Sequence, residues 1–148
     1  MKLAKHCAVL TVALGLTVLA PAVLAAESSY TEGTVWEVSQ IRTEPGQFEN
    51  YLDWLNGPWK KMQEIGKKEG YLVSYHVLAV NNPRGNEPDL FLAVEYKDYY
   101  TTAQRREFQK KMEAAMASDA RKMDNESGER KVLRKVLGSM ELQELKLK

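Results

Sequence analysis

The chain has 148 residues, 44% of them hydrophobic and 28% charged, with 21 basic against 20 acidic side chains and a single cysteine. That length holds one ordinary domain. The balanced charge leaves no basic footprint for nucleic acid or an anionic membrane, and one cysteine closes no disulfide within the chain.

Lys2, Lys5 and His6 give the first residues a basic start, residues 7–19 are uncharged and largely apolar, Pro21 ends that run, and Val23-Leu24-Ala25 offers small or tolerated residues at a cleavage site. The run is shorter than the roughly 20 residues a spanning helix needs, so residues 1–25 read as a secretory signal peptide. A periplasmic or secreted protein is expected, with no membrane attachment after cleavage. Cys7 precedes the apolar core instead of following it, which argues against a lipid anchor, and it leaves with the leader. Lys2 and Lys5 leave too, so 19 basic residues face 20 acidic ones in the mature chain. No disulfide, thiol nucleophile or thiolate ligand remains, and stability must come from packing.

Residues 26–32 are small and polar, a flexible lead-in to a single domain over 33–148. Residues 34–43 are rich in β-formers, with Trp36 and Val38 on one face and Glu37 and Ser39 on the other, and predict a first strand. Glu44-Pro45-Gly46 ends it. Phe48, Tyr51, Leu52, Leu55, Trp59, Met62 and Ile65 then recur at helical spacing, and Asn56-Gly57-Pro58 predicts a kink or break among them. Lys67, Lys68 and Gly70 are stop signals.

Residues 71–80 form the longest strand-like run and carry His76, the one histidine outside the leader. A polar loop over 81–89 separates it from a third strand over 90–96, too short for a helical crossover, which predicts an antiparallel hairpin. Phe108, Met112, Ala115, Met116 and Met123 mark a second long helix, with a break expected at Asn125-Glu126-Ser127-Gly128. Val132, Leu133, Val136 and Leu137 predict a short third helical segment, and residues 139–147 a last strand with a bulge near Glu144. The resulting order is β-α-β-β-α-β, a split βαβ pattern.

This order, the Thr43-Glu44-Pro45-Gly46-Gln47-Phe48-Glu49-Asn50-Tyr51 handover from strand to helix, and the Gly138 turn into the last strand resemble the dimeric α/β barrel superfamily, including its antibiotic-biosynthesis-monooxygenase-like and NIPSNAP-like members. The chain looks closest to uncharacterised secreted bacterial members. The resemblance implies an α+β, ferredoxin-like antiparallel sheet in strand order 4-1-3-2, with two helices on one face and the other face closing a barrel with a second subunit. Function does not transfer with such a fold. Independently, a long edge strand at 71–80 that is apolar on both sides invites a partner, and a homodimer is expected.

With Trp36 and Val38 assigned to the helices, Glu37 and Ser39 point into the barrel, joined by Ser74 and His76 from the second strand and by Phe91, Ala93 and Glu95 from the third. Glu37, His76 and Glu95 are then the candidate catalytic acid/base groups, and Ser39, Ser74 and Phe91 the candidate ligand contacts. A polar pair within a sheet is the plainer alternative. There is no G-x-G-x-x-G or Walker loop, no H-E-x-x-H, no C-x-x-C-H and no G-x-S-x-G. No cofactor and no metal are expected, and nothing singles His76 out as a haem ligand. Three functions remain open: binding of a small, partly apolar organic molecule; cofactor-independent monooxygenase or isomerase-like chemistry; and a protein-docking role for the 81–89 loop or the Asn56-Gly57-Pro58 kink.

Overall fold

The computed structural model describes residues 27–148, and the leader expected over residues 1–25 lies outside them. Strand β1 runs Tyr30–Thr43, so the end of the expected lead-in is already strand. It hands over through a tight turn in which Gln47 N–H donates to the Glu44 carbonyl at 2.9 Å. Pro45 and Gly46 occupy the centre, and Gly46 has φ 76°, the positive value that the second central position of a type II turn requires.

Helix α1 (Phe48–Trp54) and helix α2 (Lys60–Lys68) are joined without a break by a π-helical stretch, Leu55–Trp59, that contains Pro58. One wide turn absorbs the missing proline donor, and Leu55 and Trp59 both stay buried. Strand β2 (Ser74–Ala79) and strand β3 (Leu90–Tyr96) form the antiparallel hairpin. Its long loop folds back onto the end of β1: Asp89 Oδ2 accepts from the Thr43 N–H and hydroxyl, each at 2.7 Å, and the Glu87 carbonyl accepts from Arg42 Nη2 at 2.7 Å.

Helix α3 (Thr102–Met116) opens on a reciprocal capping box between Thr101 and Gln104. The second long helix ends earlier than its apolar spacing predicts, at Ala117 in the left-handed region. Asp119 then caps helix α4 (Ala120–Glu129), accepting from Lys122 N–H at 2.8 Å. The cap supplies a new start, and Asn125 to Gly128, expected as a break, lie inside α4. The third helical segment shrinks to a 3-10 turn, Arg130–Val132, and strand β4 takes Arg134–Leu147. Its first residues pair with Thr43, Arg42 and Ile41, and this backbone ladder outweighs their helical spacing.

The described residues make an α+β fold whose four strands form an open, fully antiparallel sheet in the order β2-β3-β1-β4. Its core joins Ile41, Leu90, Leu92 and Val94 of the sheet to Tyr51, Leu55, Trp59 and Leu72. Tyr51 stacks on Trp54 at 5.6 Å between centroids, and Trp59 meets Tyr75 edge-on at 5.4 Å. Helix α3 is tied to the end of α2 by Lys111–Glu69 at 3.0 Å and buries only Met112 fully. Among the described residues no helix is long and apolar enough to cross a membrane.

The ladder between β1 and β4 shifts register twice. The first shift, between Glu32 and Val35, lies opposite Glu144, where an irregularity is expected, but the extra residue belongs to β1. Glu144 fills the bulge, accepting from the Thr34 N–H at 3.1 Å and its hydroxyl at 3.3 Å. A Cβ added at Gly33 would meet the Glu144 carboxylate, so a larger residue here would push that side chain out of the bulge.

Candidate functional site

Strand register sorts the sheet residues into two faces. On the face away from the core, cross-strand pairing makes three rows: Leu142, Trp36, Glu95 and Ser74; then Met140, Val38, Ala93 and His76; then Gly138, Gln40, Phe91 and Leu78. Leu142, Met140 and Leu78 on this face are exposed. The four predicted residues His76, Glu95, Ser74 and Phe91 therefore share one face.

Three of them touch. Ser74 stands directly opposite Glu95, and its hydroxyl donates to Glu95 Oε2 at 2.5 Å. His76 Nε2 lies 3.4 Å from the same Ser74 oxygen. A hydroxyl has one proton, and here it goes to the carboxylate, so Ser74 Oγ offers His76 only a lone pair. The contact then requires the proton on Nε2, which leaves Nδ1 of a neutral imidazole as the free acceptor. The imidazole is further held by Trp36, whose ring stacks on it at 6.0 Å and 22°.

This order has chemical consequences. In a serine-nucleophile triad the imidazole sits between hydroxyl and carboxylate and removes the serine proton. Here the hydroxyl sits between the other two, so Ser74 is a relay and a positioning group. What the cluster presents outward is a polar edge, with a hydrogen-bond acceptor at His76 and a carboxylate at Glu95, set in an apolar surface.

Glu37 and Ser39 are not part of it, which corrects the expected assignment. Both lie on the opposite face, in the same alternation as Val35 and Ile41, each only 2% exposed. The inversion arises because Val35 and Ile41, not the bulkier Trp36 and the neighbouring Val38, are the β1 residues buried on the core face. Ser39 instead contacts Ser139, with the two hydroxyl oxygens 3.0 Å apart, and Glu37 pairs with Glu141 in the β1–β4 register.

On Glu37's side lies a cleft of about 330 Å³ between the sheet and the start of α3. Tyr71, Tyr96, Tyr99, Tyr100 and Phe108 line it, with Glu37, Asp98, Glu141 and Arg105 as its charged groups. Tyr96 hydroxyl donates to Glu37 Oε2 at 3.4 Å, and Tyr100 hydroxyl to the Tyr71 carbonyl at 2.6 Å. Burial pushes the Tyr96 phenol far above its ordinary pKa, with a further push from the Glu37 carboxylate, so it stays a neutral donor. Spacing and alternation do not reveal this cleft; its signal in the sequence is the run Tyr96-Lys97-Asp98-Tyr99-Tyr100, dense in tyrosine at a strand-to-helix junction. Another cleft of about 290 Å³ lies between Trp54, Pro58, Met62, Met116 and Met123, with the Arg130 guanidinium 4.2 Å above the Trp54 ring.

Among the described residues no group of three or more His, Cys, Asp or Glu side chains could hold a metal ion. Comparison with protein-family models, curated proteins and solved structures finds no match to this chain.

Proposed function

We propose that the protein is exported by its 1–25 leader and works as a homodimer of the dimeric α/β barrel type, with a ferredoxin-like protomer, in which the open faces of two sheets enclose a small, partly apolar organic molecule. The observation that carries this reading is the open face itself. It combines exposed Leu78, Met140 and Leu142 with Trp36 and Phe91, and it sets one preorganised polar cluster, Ser74–Glu95–His76, among them. An apolar enclosure with a few convergent polar groups is the usual composition of a small-molecule site. A second copy is the natural cover, because it brings an identical apolar face and closes the assembly about a two-fold axis.

Native mass spectrometry of the protein purified from its own host tests this. The expected species is a dimer beginning at residue 26, carrying additional small-molecule mass that denaturation releases. A ligand-free monomer at micromolar concentration would overturn the reading.

The Ser74–Glu95–His76 chain also favours a second reading, cofactor-independent monooxygenase or isomerase-like chemistry in the same enclosure. His76 Nδ1 and Glu95 would then accept and return the substrate's proton. Glu37 has no part in this version, since it lies on the other face of the sheet. If the bound molecule is recovered chemically unchanged after prolonged incubation with the protein, binding alone remains.

A further inference from the structure

The tyrosine cleft between β1, β4 and α3 lies on the opposite side of the sheet from the Ser74–His76–Glu95 cluster, and its lining has a chemistry of its own. We propose that it binds a small organic cation, a quaternary ammonium or a protonated alkylamine, against aromatic ring faces and the Glu37–Glu141 carboxylate pair.

The walls are the first argument. Tyr96 meets Tyr100 at 87° and 5.9 Å, and Tyr71 meets Tyr100 at 61° and 5.6 Å, so the rings form differently oriented walls and not one flat stack. Ring faces carry negative quadrupolar charge, and a cation among several of them is attracted by each. Tyr71 already shows this property within the chain, with Lys111 Nζ 5.6 Å from its ring centroid. The volume, about 330 Å³, falls at the small end of ligand pockets.

The second argument is electrostatic. Glu37 and Glu141 stand directly opposite one another on β1 and β4, an arrangement of like charges that weakens a strand pair. Neither they nor Asp98 make an ion pair with any described residue. Three carboxylates and one guanidinium, Arg105, line the cleft, so its balance is acidic. A cation seated there relieves the Glu37–Glu141 repulsion. An aromatic lining suits an alkylated ammonium better than a metal ion, which needs a shell of oxygen ligands.

Isothermal titration of the full protein with choline and with benzyltrimethylammonium, and with 3,3-dimethylbutan-1-ol as the neutral isostere of choline, tests the proposal. Saturable binding of at least one cation is expected, with the neutral isostere at least about tenfold weaker. Tyr99→Ala removes a wall residue that is 53% exposed and leaves the core untouched. Tyr99→Ala and the double variant Glu37→Gln/Glu141→Gln are each expected to weaken cation binding about two- to thirtyfold, with a urea midpoint unchanged for the first and unchanged or raised for the second, whose opposed charges are gone. His76→Ala is expected to leave it unchanged. Absence of saturable binding by both cations, equal binding of the neutral isostere, or binding sensitive to His76→Ala but not to Tyr99→Ala would each overturn the proposal.

Discussion

Ser74 and Glu95 face each other across the β2–β3 pair, and the serine hydroxyl donates to Glu95 Oε2 over 2.5 Å. Such a short contact to a carboxylate is a charge-assisted bond. A double-mutant cycle of Ser74→Ala and Glu95→Gln, followed by urea unfolding, is expected to give a coupling of about 1 kcal/mol. Additive single effects would show that the two groups are merely neighbours.

Leu90 and Leu78 belong to the same hairpin but to opposite faces. Leu90, 1% exposed in the core, is expected to cost about 2–5 kcal/mol of stability when replaced by alanine. Leu78→Ser, at a position 52% exposed in the protomer, is expected to change protomer stability by less than about 0.5 kcal/mol. In the proposed dimer the same change raises the dissociation constant at least about tenfold. Analytical ultracentrifugation beside urea unfolding separates the two, and an unchanged dissociation constant would move the dimer contact off this face.

Burial raises the phenol pKa of Tyr51, Tyr96 and Tyr100 above the ordinary tyrosine value. A raised folded-state value contributes stability that is complete below the unfolded value of about 10 and is lost as pH climbs through the folded values. Alkaline unfolding is therefore expected to begin near about pH 10, with phenolate absorbance rising together with loss of ellipticity. Tyr96→Phe removes one group that must stay neutral, and it is expected to move the alkaline midpoint upward. A downward shift would show that the Tyr96 hydroxyl supplies more to the fold than its burial opposes.

Glu144 behaves in the opposite sense. The Thr34 backbone N–H, aided by Lys146, holds its carboxyl below the usual glutamate range. Its contribution is present above the unfolded value of about 4.3 and is lost as pH falls through the lowered folded one. By NMR the Thr34 amide is expected to shift with a midpoint below about 4.3, and Glu144→Gln to abolish that titration. A midpoint at or above the ordinary value would mean that the carboxylate does not hold the bulge.

The α+β class, the helical stripe from Phe48 to Met62 and the β2–β3 hairpin were legible because each rests on local chemistry: spacing, turn residues and a loop too short to cross over. Strand β3 was read to its bounds, Leu90–Tyr96, since Asp89 and Lys97 bracket an uninterrupted β-forming run. What escaped was decided at a distance. Glu37 and Ser39 share their parity with Val35 and Ile41, and only contact with the helical layer shows which set is buried. The start of β4 looked helical because Val132, Leu133, Val136 and Leu137 have helical spacing; its pairing with Arg42 and Thr43 overrode that local signal. His76 and Glu95 could be named in advance, but the serine placed between them depends on the register, which the long loop concealed.

The bulge at Thr34 also bears on how the chain reaches its native state. Strand β1 lies inside the sheet, yet one of its two neighbours, β4, is the last described element, and the Thr34–Glu144 contact spans 110 residues. Pairings that distant form slowly, because a long loop must close before any of them contributes. Until β4 docks, one flank of β1 has open backbone hydrogen bonds, and Trp36 and Val38 lie beside it without cover. A newly made chain therefore spends its most aggregation-prone interval waiting for β4, and substitutions that weaken the β1–β4 ladder are expected to lower soluble yield before they measurably lower equilibrium stability.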